Sequence, residues 1–325
     1  MIDDRTTTRA APGTSGDGTA AGREPVGRRR RGVTQQQRPL WLLAPGGILM
    51  TLVIGLPLLL AGYLSLIDLD QYTLRRWLQA PFIGVGNFTE AFQTGLLHSI
   101  WISVSFAVIS TAVTAPLGVA AAIVTQNAYR GRGVVRAIFL IPYVLPSFVV
   151  ASVWRTMLQP DGIVNTLLAK VGVTGGLWLS GPKSYWTLIL VEIWAAWPFI
   201  YLMALAGLQS VDGEVHEASA LDGANWWPKL RHVILPYLRG PVLLACLLAT
   251  LSHINNFTLP FVLFGAPAPD DVNVMPMIVY VTSFQGLRFG LSAAMAIVSL
   301  LLIAVPLFAY LRALRLDVHE DGRAR

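Results

Sequence analysis

Few residues in this chain of 325 residues have side chains equipped for more than packing. The conspicuous ones sit inside runs that are otherwise apolar. Glu192 lies in VEIWAAWPF, and Ser252, His253, Asn255 and Asn256 lie in LSHINNF. A carboxylate and an imidazole in apolar surroundings can form a hydrolytic pair, relay a proton, or hold a polyhydroxylated solute. Charged groups inside an apolar span are costly, and by default mark a pathway or a partner. At 3.6 residues per turn, Ser252, Asn255 and Asn256 share a helix face, with Ala249 one turn earlier; Glu192, Ala195, Ala196 and Phe199 share another. A wet cavity with a carboxylate, amides, a hydroxyl and aromatic rings is what sugar hydroxyls and apolar sugar faces require. The structural alternative pairs Glu192 with Arg155 or His253 to brace helices, with Asn255 and Asn256 making interhelical hydrogen bonds.

The elements that must position these groups are read from composition and periodicity. The chain is 54% hydrophobic and only 13% charged, with a mean hydropathy of +0.58, against about 25% charge in soluble domains. Its net charge of +6 has no aromatic-interleaved basic face, so no nucleic-acid partner is expected. Six stretches are long enough to span a hydrocarbon layer of about 30 Å: 41–67, 98–126, 136–158, 184–208, 235–264 and 289–312. Each must be helical, since an open strand leaves backbone groups unpaired in lipid. The expected fold class is thus all-α, polytopic, with six transmembrane helices. Prolines 57, 116, 142, 146, 198 and 306 predict kinks, and the small residues Ala115 to Ala122 predict close helix packing.

Residues 1–40 are expected to form a disordered basic cytoplasmic tail, being rich in Gly, Thr, Ala and Arg. Arg28 to Arg31 resemble a signal n-region, but the apolar run after them is too long and lacks a small-x-small cleavage site, so 41–67 is read as a retained first span. The transmembrane core is then 98–312, followed by a second cytoplasmic tail at 313–325. With the N-terminus inside, 18 of the 24 Lys and Arg fall on the cytoplasmic side: eight in 1–40, three in 130–136, three in 229–239 and four after Leu311. The positive-inside rule selects this orientation, with both termini cytoplasmic. The one cysteine, Cys246, lies inside a span, so neither a disulfide framework nor a metal site is expected.

One polar interval between spans is more than a connector: Glu217 to Pro236, EASALDGANWWPKLRHVILP. Asp212 is a candidate N-cap, with Glu214 and Glu217 in early turns, where carboxylates suit the helix dipole. Gly223 follows the first short helix at a position suited to a left-handed residue. Asn225 caps a second, with Pro228 tolerated in its first turn. Ala218, Ser219 and Ala220 give this elbow a surface that another protein can approach closely.

This interval resembles the EAA loop of ABC-importer permeases, Glu-Ala-Ala, three residues, Gly, nine residues, Ile-x-Leu-Pro. Here it stands as Glu217-Ala218-Ser219, Gly223 and Val233-Ile234-Leu235-Pro236, with every spacing kept; Ser219 and Val233 are its departures. The extension Asp222-Gly223-Ala224 is similar to the sugar-type permeases, those of maltose and glycerol-3-phosphate uptake. Weaker likenesses follow in order: Pro81 to Phe88 (PFIGVGNF), Leu140 to Tyr143, Val153 to Arg155, Gly162 to Asn165, Asn255 to Phe257, and Phe289 to Ala294. Gly265-Ala266-Pro267 stands where the family has Gly-Gly-Pro.

The resemblance implies a bacterial cytoplasmic-membrane permease subunit of an ATP-driven, binding-protein-dependent importer. It forms half of a translocation pathway for a sugar or polyol and is not an enzyme. Implied partners are a second permease subunit, two ATP-binding subunits docking on helices within 212–232, an extracytoplasmic solute-binding protein, and membrane lipid. Glu217, Ala218, Ser219, Asp222, Gly223, Ala224, Leu235 and Pro236 would couple to the ATPases. Glu192, Ala195, Ala196, Phe199, Ser252, His253 and Asn256 would line the pathway, with Glu192 and His253 standing where the maltose permease has amides. No cofactor is expected on this chain, and ATP with magnesium is assigned to the partner ATPases, since Gly-x-x-x-x-Gly-Lys-Ser/Thr is absent. The alternatives are a proton-coupled secondary transporter using Glu192, which predicts internal repeats that are not seen, and an intramembrane hydrolase using His253. The latter lacks both His-Glu-x-x-His and Gly-x-Ser-x-Gly.

Overall fold

The computed structural model describes residues 38–209, 228 and 230–321. The expectations for the tail 1–37, for Glu217, Ala218, Ser219, Asp222, Gly223 and Ala224, and for 322–325 lie outside the described residues. The chain divides into two units, Met1–Ile54 and Gly55–Arg325. The first contributes helix α1, Arg38–Met50, which begins ahead of the expected span at 41.

Helices joined by loops make up the described residues of the second unit. In chain order it holds α2 (Leu56–Leu64), α3 (Gly86–Gln93), α4 (Leu96–Thr125), α5 (Arg132–Val144), α6 (Ser147–Met157), α7 (Ile163–Lys170) and α8 (Lys183–Gln209). After the undescribed interval come α9 (Leu235–Ile254), α10 (Thr258–Phe264), α11 (Met275–Tyr280) and α12 (Phe289–Asp321). Among the described residues five helical stretches are long and apolar enough to cross a membrane: Leu43–Leu64, Leu96–Thr125, Lys183–Gln209, Leu235–Ile254 and Phe289–Arg312. The pair α5–α6 makes a sixth, bent by 90°.

That bend corrects the expectation of one helix over 136–158, and its cause is local. A proline disfavours helical dihedrals in the residue before it, and Leu145, before Pro146, is extended at φ −72°, ψ 134°. The expected span 235–264 is likewise two helices. Asn255 and Asn256 close α9 through backbone N–H bonds to the carbonyls of Leu251 and His253. Asn256 Oδ1 then accepts the Leu259 N–H at 3.2 Å, satisfying an orphan donor in the first turn of α10. Pro116, Pro198 and Pro306, by contrast, sit inside the uninterrupted helices α4, α8 and α12.

Helix α8 is the axis of the packing and touches α4, α5, α6, α9 and α10. Near its start Leu188, Ile189 and Val191 join an apolar cluster with Ile102, Phe106, Val150 and Leu259. Near its end Tyr201, Ala204, Leu205 and Leu208 join another, with Ala122, Leu230, Ile234 and Leu238. The stretch Glu192 to Phe199 lies between the two. Small residues allow the close α4–α8 crossing: a Cβ on Gly118 would stand 2.7 Å from the Tyr201 backbone nitrogen. In lipid such contact replaces the hydrophobic drive that water would supply. The outward faces keep large apolar side chains exposed, among them Trp101, Val108, Trp186, Leu190 and Leu301.

Two of the weaker sequence likenesses dock on each other. Asn87, fully buried, donates from Nδ2 to the Ser65 carbonyl at 2.9 Å and the Ile67 carbonyl at 2.8 Å. Gly290 enters the same corner, its N–H donating to the Leu69 carbonyl at 2.9 Å. A Cβ at Gly290 would collide with the Ile67 oxygen, so the contact needs glycine. Alongside, Arg288 pairs with both oxygens of Glu90, one arm at 2.8 Å, and this hydrogen-bonded carboxylate raises the guanidinium pKa further. Asn165 organises another loop: its Oδ1 accepts the Gly176 N–H and Trp178 Nε1–H, while Nδ2 donates to the Gln159, Pro160 and Gly176 carbonyls.

Candidate functional site

The polar centre of the membrane helices is a three-residue cluster. Glu192 is 6% exposed and His253 2%. His253 Nδ1 stands 2.7 Å from Glu192 Oε1, and Asn256 Nδ2 donates to Oε2 at 2.7 Å. With Glu192 ionised, Nδ1 carries the proton and each carboxylate oxygen accepts one bond. The imidazole packs edge-on against Phe106, ring centroids 6.1 Å apart. Arg155 is not a partner: its Nη1 donates to the Val262 carbonyl at 2.9 Å. Of the two pairings weighed from the sequence, His253 is realised and Arg155 is not.

The cluster is also a wall. One cavity, of about 500 Å³, is bounded by Tyr143, Leu145 and Ser147 at the α5–α6 bend, by Glu192, Ala195 and Ala196 on α8, and by Ser252 and Asn255 to Leu259 at the α9–α10 break. A second, of about 230 Å³, is bounded by Tyr143, Glu192, Ala196, Phe199, Leu248, Ala249, Ser252 and His253. Tyr143 and Phe199 stack here with centroids 6.0 Å apart. Broken helices create this space, because helix ends leave backbone groups without intrahelical partners and only a lined cavity can accommodate them.

All seven residues assigned to a pathway therefore come together on these two walls. The helix-face argument placed all of them but His253, which the family resemblance supplied, since faces of α8 and α9 meet. It missed the contribution of α5, α6 and α10: Tyr143, Leu145, Ser147, Phe257 and Thr258. The paired prolines at 142 and 146 were the available signal. Of the coupling residues, Leu235 and Pro236 are described, and both are exposed at the start of α9. Just before them Leu230 and Ile234 are buried against Tyr201 and Leu208, which anchors this end of the interval to the helices. At the same end of α4, Arg136 donates to the Thr125 carbonyl at 2.7 Å and Arg132 to the Gln126 carbonyl at 3.2 Å, cations placed where the helix dipole favours them.

The chemistry available is recognition. A hydrolytic triad needs a nucleophile on the imidazole nitrogen opposite the carboxylate, and His253 Nε2 has no hydrogen-bond partner among the described residues. Nor do the described residues hold a group of three or more His, Cys, Asp or Glu able to bind a metal ion.

Comparison with known proteins agrees. Residues 114–315 match the family described as binding-protein-dependent transport system inner membrane component. A probable ABC transporter permease protein of Sinorhizobium fredii is 30% identical, over 86% of this chain and 91% of its own. The trehalose/maltose transport system permease protein of Thermococcus litoralis is 28% identical over 72% of this chain and 80% of its own. The trehalose transport system permease protein of Mycobacterium tuberculosis is 29% identical over 86% and 89%. In structure the chain resembles a bacterial ABC transporter involved in import of the acidic polysaccharide alginate, with a TM-score of 0.72 at 20% identity, covering 85% of this chain and 96% of that one. The helices, the cavity-lining cluster and this match lead to one conclusion: the chain belongs to the binding-protein-dependent transport system inner membrane components, as a multi-pass permease subunit of an ABC importer and not an enzyme.

Proposed function

We propose that this permease subunit carries a sugar or related polyol. The observation that carries the reading is the pair of cavities at the bends of α5–α6 and α9–α10. Their walls combine a fixed carboxylate, amides, a hydroxyl and a stacked aromatic pair. Aromatic faces suit the apolar side of a pyranose, and the polar groups suit its hydroxyls. The trehalose and maltose permeases among its relatives support the same class of solute.

In this reading the chain is half of a pathway completed by a second permease subunit. Two ATPase chains, which hold ATP and magnesium, dock on the cytoplasmic elbow within 212–232, and an external binding protein delivers solute. ATP-driven closure pulls the elbow, and the motion passes through Leu230 and Ile234 into the cluster around Tyr201, rocking α8 and α9 so that the cavities open to alternate sides. Both termini are cytoplasmic, as the distribution of Lys and Arg favours.

The test is ATP hydrolysis by the assembled importer against a panel of solutes. Stimulation by a saccharide or polyol is expected, and stimulation by non-carbohydrate solutes alone rejects the reading. Orientation is tested separately with Ser219→Cys in a Cys246→Ala background. Labelling by an impermeant reagent from outside intact cells would refute both the topology and the docking elbow.

A further inference from the structure

We infer that Glu192 is a charge filter at the neck between the two cavities, so that the pathway passes neutral or cationic glycosides and turns back acidic ones. The inference rests on the sugar reading and specifies its substrate class. Four residues belong to both walls: Tyr143, Glu192, Ala196 and Ser252. Glu192 thus stands where one chamber gives onto the other. Its two hydrogen bonds reach opposite ways, to Asn256 on the wall of the larger chamber and to His253 on that of the smaller. Held so, the carboxylate cannot swing away from a passing solute.

The charge count decides the sign. Among the described residues lining either chamber there is no Lys and no Arg. With His253 neutral, the cluster carries one negative charge; with His253 protonated, it carries none. In neither state do the lining side chains sum to a positive charge. The starts of α6 and α10, beside Ser147 and Thr258, each offer at most about half a positive charge from the helix dipole, so with His253 neutral the two together at most offset the carboxylate and supply no side-chain cation. An acidic sugar entering the neck would lose water around its carboxylate and find no cation to pair with, which is the costly case of burial. An amino sugar or a neutral sugar meets no such penalty, and an ammonium is favoured by the fixed carboxylate. The alginate importer shares this fold, so the side chains at the neck, rather than the backbone, must set the preference.

The experiment uses three matched pyranoses, glucose, glucosamine and glucuronate, in equilibrium dialysis against the purified assembled importer. Glucuronate should bind at least about tenfold more weakly than glucose, with glucosamine equal to glucose or tighter. Glu192→Gln should shrink the gap between glucose and glucuronate to less than about threefold. Ala196→Lys, which sets a cation one turn along the same face of α8 where it can pair with Glu192, should likewise shrink that gap to less than about threefold even where the Gln variant fails to assemble. Glucuronate binding as tightly as glucose in the wild type, or a gap unmoved by both substitutions, overturns the filter while leaving the sugar reading intact. Failure of all three pyranoses to bind overturns the filter, while the sugar reading is decided by the solute panel on ATP hydrolysis.

Discussion

Replacing Glu192 in two different ways should separate its shape from its bonds. Its oxygens accept from His253, 2% exposed, and from Asn256, on the wall of the larger cavity. Glu192→Ala strands both donors. Asn256 can turn to water in the larger cavity, whereas His253, 2% exposed at the edge of the smaller one, has less access to it. A buried donor left unpaired costs about 1–3 kcal/mol, so the Ala variant should lose about 2–4 kcal/mol with the smaller loss at Asn256 included. Glu192→Gln can keep the donors satisfied: its carbonyl accepts from His253 Nδ1–H, and its amide and that of Asn256 donate to water in the larger cavity. Exchanging charged bonds for neutral ones loses about 1 kcal/mol each, offset by no longer burying a carboxylate. The Gln variant should therefore stay within about 2 kcal/mol of wild type. Removing both partners is cheaper than removing one, so adding His253→Leu to Glu192→Ala should recover part of the loss. The assay is denaturant unfolding of the assembled importer in detergent, followed by the fluorescence of neighbouring Trp194 and Trp197. Equal destabilisation by Gln and Ala, or no recovery in the double variant, would refute the hydrogen-bonded brace.

Three further outcomes are expected. Asn87→Ala leaves the Ser65 carbonyl without its donor and the Ile67 carbonyl with only the Leu69 N–H, at a cost of about 1–3 kcal/mol, and should expose the 68–82 loop to protease while α8 and α9 keep their protection. Asp70 lies outside the spans with its pKa lowered, first by the Thr73 N–H and also by the Thr73 hydroxyl, the Tyr72 N–H and the charge of Arg288, against a smaller rise from desolvation. A depressed carboxylate stabilises the fold above its unfolded pKa and loses that contribution as pH falls through the folded value. Hydrogen exchange at the Tyr72 and Thr73 amides should therefore quicken, after correction for intrinsic rates, only below the ordinary carboxylate value of 3.8, and an unchanged ratio there would refute the turn's role. Gly223→Val places a β-branched residue where the sequence expects a left-handed dihedral, a strain of about 1–3 kcal/mol; it should insert normally yet lose ATPase association or stimulated hydrolysis, and fully coupled ATPase activity in that variant would count against the elbow.

The amino-acid sequence by itself located the apolar stretches, because about 20 apolar residues is a local requirement imposed by the bilayer, but not that 136–158 and 235–264 are each broken into two helices. It also determined which residues share a face of α8 and of α9, because helical periodicity is local too. The interval 217–236 could be matched to a motif for the same reason, its spacing being local. What only the tertiary structure decided was which faces meet. Glu192 had two possible cations within the chain's reach, and the crossing of α8 with α9 selects His253 and Asn256, while Arg155 turns to the Val262 carbonyl of α10. Prolines occur in most of the spans, yet the described chain bends by 90° at Pro146 while α4, α8 and α12 run on through theirs. A proline only withdraws a hydrogen bond and restrains its predecessor; whether the chain turns there depends on what its freed groups and neighbouring helices can pack against. The docking of Gly290 into the corner held by Asn87 was equally invisible, since it joins segments some 200 residues apart, and no local pattern in either segment names the other.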